Sequence, residues 1–448
     1  MNEIILIDNT ITQAPEYARK EVAALFPFAD KSLSKLCEEN ENLLIFPHSI
    51  EKSDDRIADS SLFNLVNTED SEKVRIVTGN IMGFIGIGNL QIKIKSRFDK
   101  GRDNYFLHYM LQKVMSFNFF DLNHNNERED VFDFMMFMFP YYLKTALRQG
   151  IYREYRTFKH NDANVRGTLN FNKHISHNIP FVGNIAYSTR EYCHDNSVTE
   201  LIRHTIEFMR TKRYGEAVLN IDRETMDNVK CIMEHTQSYA KSERNYVISK
   251  NLRHKTHPYY TEYKPLILLC IQILRMEEVK FGETDDEICG ILFDGAWLWE
   301  EYVNTILNQL GYTHPENKLK KEGIYLFSDI ADDGKIHRSG VRYPDFYKED
   351  IVLDAKYKRL GDYDKVSKVS RDDIHQVITY MTNLKASKGG FIAPLENKQV
   401  KVPTSHLKDS VAQLSIYGIE ISKNTNSYSE FCLQMKENED CFLQLLST

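Results

Sequence analysis

The segment from Arg342 to Lys356 constrains the fold of this chain most, because it predicts a β-hairpin that brings charged residues together. Aromatic and β-branched residues on either side of residues 348–350 favour two short strands joined by a tight polar turn. In such a hairpin Asp345 and Asp354 converge, and Lys356 lies on the same strand face as Asp354. The segment therefore predicts two neighbouring carboxylates with a lysine beside them.

This arrangement has a definite chemistry. Two carboxylates that share oxygen ligands suit a hard cation such as Mg²⁺, and a lysine beside them can orient or deprotonate a water molecule. Together these groups are what the hydrolysis of a phosphodiester needs. An Asp-x-Lys triplet is also common at solvated strand edges, so the flanking sequence has to decide between the two interpretations.

Two predicted helices flank the hairpin. Residues 292–307 carry apolar side chains at helical spacing, and Glu300 or Glu301 can point a carboxylate toward a sheet that this helix covers. Downstream, Ser370 is a typical N-cap for a second helix, in which Gln376 and Tyr380 share one face. Either helix alone could be an ordinary helix with solvated polar residues.

Composition favours a multi-domain globular protein. The chain has 448 residues, 42% of them hydrophobic and 27% charged, which suggests two or three domains. Its cysteines form no CxxC pair, so neither a zinc site nor a disulfide framework is predicted: Cys37, Cys193, Cys231, Cys270, Cys289, Cys432 and Cys441. Reduced thiols and the lack of a signal sequence predict a cytoplasmic protein, and the apolar run at 132–143 is too short to span a membrane.

The net charge of −7 excludes a protein that coats nucleic acid indiscriminately. DNA contact would therefore have to be local. Residues 359–370 form a predicted basic loop beside the hairpin, where phosphate contact and simple solvation are both reasonable interpretations.

The predicted fold class is α/β (α+β overall), with three regions. Residues 1–160 contain a small β unit at 73–98 followed by helices, residues 161–285 are mostly helical, and residues 286–448 form the domain with the hairpin. The β unit contains glycines, but no Gly-x-x-x-x-Gly-Lys-Ser/Thr motif occurs anywhere in the sequence. If nucleotide hydrolysis powers the activity of this protein, another chain must supply it.

The order of these motifs resembles a known superfamily. A helix with a glutamate, a strand with an aspartate, an Asp-x-Lys strand and a Gln-x-x-x-Tyr helix follow one another as in PD-(D/E)xK nucleases, particularly the RecB-like branch. Together with four further segments, the chain resembles the McrC family, the nuclease subunit of McrBC-type modification-dependent restriction systems, from about residue 70 to 385. Those segments are residues 79–99, 166–171, 195–204 and 293–303. The long segment before residue 70 leaves a LlaJI-like relative open.

The resemblance implies a C-terminal PD-(D/E)xK fold with a mixed central sheet flanked by helices. It implies that Asp345, Asp354 and the Ala355 carbonyl bind one or two Mg²⁺ ions, or Mn²⁺, and that Glu300 completes the shell. Lys356 would position the attacking water. Gln376 and Tyr380 would orient the scissile phosphate or the residues of the metal site.

The resemblance also implies partners. The N-terminal part would dock on a hexameric McrB-like AAA+ GTPase, which binds the GTP, and would stimulate its hydrolysis. Lys93, Lys95 and Arg97 are candidates for that stimulation. The substrate would be double-stranded DNA, in particular methylated DNA.

Two other interpretations remain open. The chain could be a self-sufficient PD-(D/E)xK restriction or repair nuclease that acts without a motor partner. It could instead be an activator of its partner with a degenerate nuclease site, although the intact Asp345, Asp354 and Lys356 argue against this.

Overall fold

The computed structural model divides the chain into two compact units, residues 1–123 with 282–448 and residues 124–281. It describes residues 2–10, 14–40, 43–46, 59–87, 90–99, 104–115, 130–212, 215–252, 258–279, 288–315, 323–330, 336–361, 363–423 and 425–447. The unit boundaries differ from the predicted ones at 160 and 285. The first 123 residues belong with the hairpin domain, and residues 124–160 belong with the other unit.

The secondary structure is mixed throughout. The strands are β1 (Asn2–Ile7), β2 (Glu16–Ala18), β3 (Leu43–Phe46), β4 (Phe63–Asn67), β5 (Lys73–Thr78), β6 (Ile81–Ile87), β7 (Leu90–Lys95), β8 (Glu154–Asp162), β9 (Thr168–Leu169), β10 (Ile185–Cys193), β11 (Ile288–Asp294), β12 (Ile324–Ile330), β13 (Ile336–Arg342), β14 (Phe346–Lys348), β15 (Ile351–Ala355), β16 (Lys388–Leu395), β17 (Thr404–His406) and β18 (Gln413–Glu420). The helices are α1 (Leu33–Glu39), α2 (Tyr105–Met115), α3 (Asp130–Leu147), α4 (Phe171–His177), α5 (Ser197–Arg210), α6 (Gly215–Leu219), α7 (Arg223–His235), α8 (Arg244–Asn251), α9 (Tyr263–Val279), α10 (Gly295–Leu307), α11 (Arg371–Leu384) and α12 (Tyr428–Leu446).

The first unit contains an N-terminal sheet in the order β1-β7-β6-β11-β3. Strand β11 pairs antiparallel with β6 and parallel with β3, so a strand from the second half of the sequence completes it. Gly83 in β6 has φ +140°, and a Cβ there would lie 2.1 Å from the Ile291 carbonyl oxygen. Only glycine lets β6 approach β11 this closely.

The predicted β unit at 73–98 is divided between two sheets. Strands β6 and β7 form a hairpin in the N-terminal sheet, whereas β5 pairs with β2 and β4 in a three-stranded sheet. The Gly79-Asn80 and Gly88-Asn89 pairs are both sequences that favour tight turns. The first joins β5 to β6, and the second lies outside the described residues. The two predicted helices after the unit correspond to α2 and α3.

The C-terminal sheet has the order β14-β15-β16-β18-β17. Strands β15, β16 and β18 are parallel, while β14 and β17 are antiparallel to their neighbours, so the sheet is mixed as predicted. Val352 and Phe391 pack with Val377 of α11 in a buried core. Trp299 of α10 is also fully buried and donates a hydrogen bond to the Ile392 carbonyl at 3.1 Å.

Helix α10 is fixed by a buried carboxylate. The side chain of Glu439 in α12 accepts hydrogen bonds from Tyr302 (2.7 Å) and Tyr109 (2.8 Å), and Lys113 lies 2.8 Å from it. Helix α10 begins at Gly295 rather than at residue 292, because residues 292–294 complete β11 and Asp294 caps the helix. The sheet and its helices thus hold α10 in one place.

The second unit contains α3 to α9, together with a three-stranded sheet in the order β8-β10-β9. The region predicted to be mostly helical therefore also contains strands. Helix α5 is capped by Asn196, although its neighbours Asp195 and Ser197 are also typical cap residues, and Thr199 completes a capping box. Among the described residues, no helix is both long and apolar enough to cross a membrane.

Candidate active site

The hairpin β14–β15 brings the two predicted aspartates together. Asp345 lies directly before β14, one residue outside the strand in which it was predicted, and Asp354 lies in β15. The Oδ2 atom of Asp345 accepts a hydrogen bond from the Ala355 N–H at 2.7 Å. At the turn, the Asp350 carboxylate accepts hydrogen bonds from the N–H (2.6 Å) and hydroxyl of Ser387, which anchors the hairpin to the start of β16.

Lys356 is held between the sheet and α11. Its Nζ lies 2.6 Å from Asp354 Oδ2 and 3.6 Å from Asp373 Oδ1, and it donates a hydrogen bond to Gln376 Oε1 at 3.3 Å. Gln376 in turn donates from Nε2 to the Tyr380 hydroxyl at 3.0 Å. The predicted i, i+4 pair therefore supports the lysine from one helical face.

The Asp354 carboxylate is completely buried, and its Oδ1 atom has no hydrogen-bond partner among the described residues. A buried acceptor without a partner costs about 1–3 kcal/mol. Such atoms are rare in folded proteins, and an ion is one common explanation. This oxygen is the clearest sign that Asp354 serves a ligand rather than the fold.

The electrostatics of the pair agree with this interpretation. Burial, together with the nearby Glu300 charge, raises the pKa of Asp345 to about 7. Burial and the charge of Asp345 likewise raise the pKa of Asp354 to about 7. Burial disfavours the Lys356 ammonium, but the carboxylates of Asp354 and Asp345 outweigh it and raise the pKa of Lys356 above its usual range. One ammonium faces two buried carboxylates, so a further cation would be favourable here.

On the α10 side, Glu300 is half-buried and its charge reaches Asp345. His314, which the sequence did not single out, donates from Nδ1 to the Asp345 carbonyl at 2.6 Å and stacks on Phe346. Its Nε2 lies 3.9 Å from Glu300 and 3.8 Å from Glu301. Burial opposes protonation, but the bonds to Glu301 and the Asp345 carbonyl prevail and raise the pKa of His314.

Asp373, in the first turn of α11, is a second residue of the site that the sequence did not single out. It is buried and contacts Lys358 at 2.6 Å as well as Lys356. Burial raises the pKa of Asp373, but the bonds from Lys358 and Ser370 outweigh it, so its pKa is lowered. Asp373 therefore neutralises Lys358 and helps to hold Lys356.

The residues present could bind Mg²⁺ or Mn²⁺ through two carboxylates, but not through an enclosing set of protein ligands. In the described part of the chain, no three His, Cys, Asp or Glu side chains come close enough to enclose a metal ion. Mg²⁺, however, is commonly bound by one or two carboxylates, with water and substrate phosphates filling the other positions. Asp345 and Asp354 meet that requirement, while direct ligation by Glu300 and by the Ala355 carbonyl stays a prediction.

A cleft of about 560 Å³ lies beside the carboxyl end of β16 and the chain that follows Lys356. Its lining includes Arg359, Lys398, Lys401 and Phe98. Arg359 is in an ion pair with Glu396 at 3.7 Å. Ligands of open α/β sheets commonly bind beyond the carboxyl ends of the strands, which is where this cleft lies.

The three basic residues predicted to stimulate a partner do not form an exposed row. Lys95 is only 6% exposed, and the Arg97 side chain is 8% exposed and packed against Tyr357. Lys93 is paired with Glu3 at 2.7 Å. The burial of Lys95 and of the Arg97 side chain argues against direct contact of these two residues with a partner.

Comparison with known proteins gives a family. A model for the family described as McrBC 5-methylcytosine restriction system component matches residues 76–394. No curated protein matches.

Two solved structures from Thermococcus gammatolerans are similar at low identity. The half-complex from a tetradecameric assembly of McrB AAA+ hexamers with bound McrC has 14% identity over 97% of this chain and 100% of that one, with a TM-score of 0.48. The McrBC complex has 14% identity over 70% of this chain and 90% of that one, with a TM-score of 0.32. Scores this low carry no argument by themselves, but the family match spans well over half of the sequence and confirms the resemblance inferred from its motifs. The chain therefore belongs to the family of McrBC 5-methylcytosine restriction system components.

Proposed function

We propose that this chain is the DNA endonuclease subunit of a GTP-dependent, modification-dependent restriction system of the McrBC type. The observation that carries this proposal is the set of Asp345, Asp354 and Lys356, in which Asp354 is fully buried and has an oxygen without a hydrogen-bond partner among the described residues. A structural ion pair would satisfy both carboxylates. A site that binds a cation and a phosphate leaves such an atom open.

Asp345 and Asp354 would hold Mg²⁺, with the Ala355 carbonyl and Glu300 as further candidate ligands. When bound, the ion would neutralise charge on the scissile phosphate and lower the pKa of a bound water. Lys356 would donate to a phosphate oxygen as negative charge develops there, and it is already oriented by Asp354 and Gln376. Tyr380 fixes Gln376 and hence the lysine.

The cleft beside the site supports a path for the DNA strand. Lys398 and Lys401 line the cleft and are exposed to solvent. Arg359, which follows Lys356 in the sequence, also lines the cleft and is exposed. Positively charged side chains near a cleft bind the phosphate backbone without reading the sequence. Recognition of a modified base would then belong to the partner.

The proposed partner is an AAA+ GTPase of the McrB type, because the chain has no phosphate-binding motif of its own. The second unit offers a surface for it, made of apolar side chains that are between 41% and 74% exposed: Leu169, Phe171, Ile175, Ile179, Phe181 and Val182. A surface of this kind on a water-soluble unit commonly marks a protein interface. We call these six residues the apolar surface. Docking is thus proposed for the second unit rather than for residues 1–160 as a whole, in a cytoplasmic complex.

The test is the Asp354→Asn variant assayed with the partner, GTP and methylated double-stranded DNA. Cleavage should fall to background, while stimulation of the partner GTPase stays at the level of the unaltered chain. Asp372→Asn is the matched control, because Asp372 is 94% exposed in the first turn of α11. Retained cleavage by Asp354→Asn would overturn the proposal.

The same assay separates a self-sufficient nuclease from a partner-driven one. Under the proposal, the chain with Mg²⁺ but without partner and GTP leaves the plasmid intact. Efficient cleavage under those conditions would show that no motor is required.

A further inference from the structure

The N-terminal sheet meets the nuclease site at a buried junction. Strand β7 ends at Lys95, and the next residues, Ser96 and Arg97, pack against Tyr357, which directly follows Lys356 in sequence. Asp8, at the end of β1, is fully buried at the same place. The junction therefore joins residues about 260 positions apart in the sequence.

Arg97 makes most of the contacts at this junction. Its Nη2 donates to the Tyr357 carbonyl at 2.7 Å and to Asn80 Oδ1 at 3.0 Å. The centre of its guanidinium lies 4.6 Å from the centroid of the Tyr357 ring, a cation–π distance. Asp8 accepts a hydrogen bond from the Arg97 N–H and lies 3.8 Å from its guanidinium. Arg97 thus holds both the backbone and the ring of Tyr357.

The Tyr357 ring is held from its other sides as well. Its hydroxyl is 2.6 Å from Ser96 Oγ, and the Phe98 ring packs edge-on at 5.1 Å. A Cβ at Gly295 would lie 2.9 Å from a ring carbon, so the start of α10 fits directly against it. The Gly295 N–H also donates to the Asn80 carbonyl at 2.9 Å. The same junction therefore fixes the start of the helix that carries Glu300.

Ordinary sheet packing does not require a buried arginine at this point. A buried charge is costly unless its hydrogen bonds are made, and here Nε and Nη1 have no hydrogen-bond partner among the described residues. Apolar residues could join a sheet to a loop without this cost. Besides its contacts with Asp8 and Asn80, Arg97 adds a directed hydrogen bond to the carbonyl of the residue after Lys356.

We infer that Arg97 is a positioning residue of the nuclease centre, which acts by holding Tyr357 and thereby the Lys356 backbone. The inference rests on the proposed nuclease function. Elsewhere the Lys356 backbone is held by its own N–H, which donates to the Ile392 carbonyl at 2.8 Å, and by its carbonyl, which accepts from the Lys358 N–H at 2.7 Å. Neither bond joins it to the N-terminal sheet. Displacing a catalytic group by about 1 Å can lower a rate about 100-fold, so an anchor from that side matters.

The experiment compares Arg97→Met, Arg97→Lys and Ile94→Val in the full chain with its partner. Ile94 is a buried residue of β7, and its truncation to valine should destabilise the same sheet without touching Tyr357. Arg97→Met should lower kcat for cleavage at least tenfold, leaving KM for DNA and stimulation of the partner GTPase unchanged. Arg97→Lys keeps the charge and should recover part of the lost kcat.

A readout independent of cleavage is amide exchange of the peptide 354–361 without metal or DNA. Arg97→Met should speed exchange in this peptide, and Ile94→Val should not. If Arg97→Met matches Ile94→Val in both kcat and exchange, Arg97 has only a structural role and the inference is overturned. Equal loss of kcat and GTPase stimulation would overturn it too, because that result indicates general unfolding.

Asp354→Asn in the same series tells the two proposals apart. If it still cleaves, the proposed function itself fails. If it is inactive and Arg97→Met cleaves normally, only the positioning role fails.

Discussion

The proposed nuclease site and the apolar surface of the second unit depart in opposite ways from the usual burial of apolar side chains and exposure of charged ones. The site buries charged groups, with Asp354 fully buried and Asp345 and Lys356 beside it. The apolar surface exposes Phe171 and Phe181 at 67% and 63%. Each arrangement costs stability in the isolated chain. Under the proposed function, a cation with DNA would offset the first cost and a partner protein the second.

The largest expected effect comes from Lys356→Met at the site. Cleavage should fall about 100- to 1,000-fold, because the group that stabilises charge on the phosphate is lost. The variant should also lose about 3 kcal/mol of folding free energy, because Asp354 is left buried without its partner. Single-turnover cleavage and urea unfolding measure the two effects.

A double variant, Lys356→Met with Asp354→Asn, serves as the control for stability. It should recover most of the folding free energy and none of the cleavage. If it stays as unstable as Lys356→Met, the buried charge is not the reason for the loss.

The second unit should be sensitive to acid through His204, a buried residue of α5. Burial, and then the charges of Arg244 and Arg203, lower the pKa of His204 to about 4, and the Tyr239 ring packs on it at 4.6 Å. The unfolded chain therefore binds a proton that the folded chain does not, and stability falls as pH drops from about 6.5 to 4. The loss should reach about 3 kcal/mol at most. Amide exchange of α5 at pH 7 and pH 4.5 measures it.

His204→Gln removes the titrating group and should flatten this dependence. A variant that loses stability between pH 7 and 4.5 as steeply as the unaltered chain would assign the effect to other residues.

The double variant Phe171→Ser and Phe181→Ser tests the apolar surface. Partner affinity should fall about 10- to 100-fold, because each exposed phenylalanine would lose about 1–2 kcal/mol of burial in the complex. Thermal stability of the isolated chain should change little. Titration of the partner in a GTPase assay gives the affinity.

Leu433→Ser is the matched control, since Leu433 is 61% exposed on α12 of the first unit. Partner affinity should be unchanged in that variant. If both variants lose partner affinity equally, the loss does not depend on where the exposed apolar residue lies, and the apolar surface is not a specific docking site.

The smallest effect is expected for Lys398→Ala with Lys401→Ala at the cleft. KM for DNA should rise about tenfold at low salt, and the dependence of KM on salt should become shallower. The rate at saturating DNA should stay the same, because neither lysine touches the catalytic groups. Lys408→Ala, an exposed lysine outside the cleft lining, is the control. An unchanged KM in the double variant would place the DNA path elsewhere.

Local sequence patterns predicted the parts of the site that are close in sequence. The hairpin and the Ser370 cap of α11 follow from strand and capping preferences, and the turn is residues 349–350, one residue shorter than predicted because Lys348 pairs with Ile351 in the hairpin. Gln376 and Tyr380 could be placed on one face because helical spacing fixes it. These elements could be predicted because the residues that determine the local backbone geometry are the same few residues that carry the side chains of the site, or lie next to them.

The remaining features depend on contacts between distant residues. His314 gives no sign of its role in sequence, because its bond to the Asp345 carbonyl exists only once Thr313 pairs with Tyr347. Arg97 was named only as a candidate for stimulating a partner, since an alternating strand does not reveal that Tyr357 covers its end. The cap of α5 could not be chosen from sequence, because Asp195, Asn196 and Ser197 are all good cap residues.

Mn²⁺ binding measured by calorimetry tests most directly whether Asp354 leaves an oxygen open for a cation. The full chain should bind Mn²⁺ at a site that Asp354→Asn removes, while Asp372→Asn binds as the unaltered chain does. Equal Mn²⁺ binding by Asp354→Asn and the unaltered chain would contradict the account.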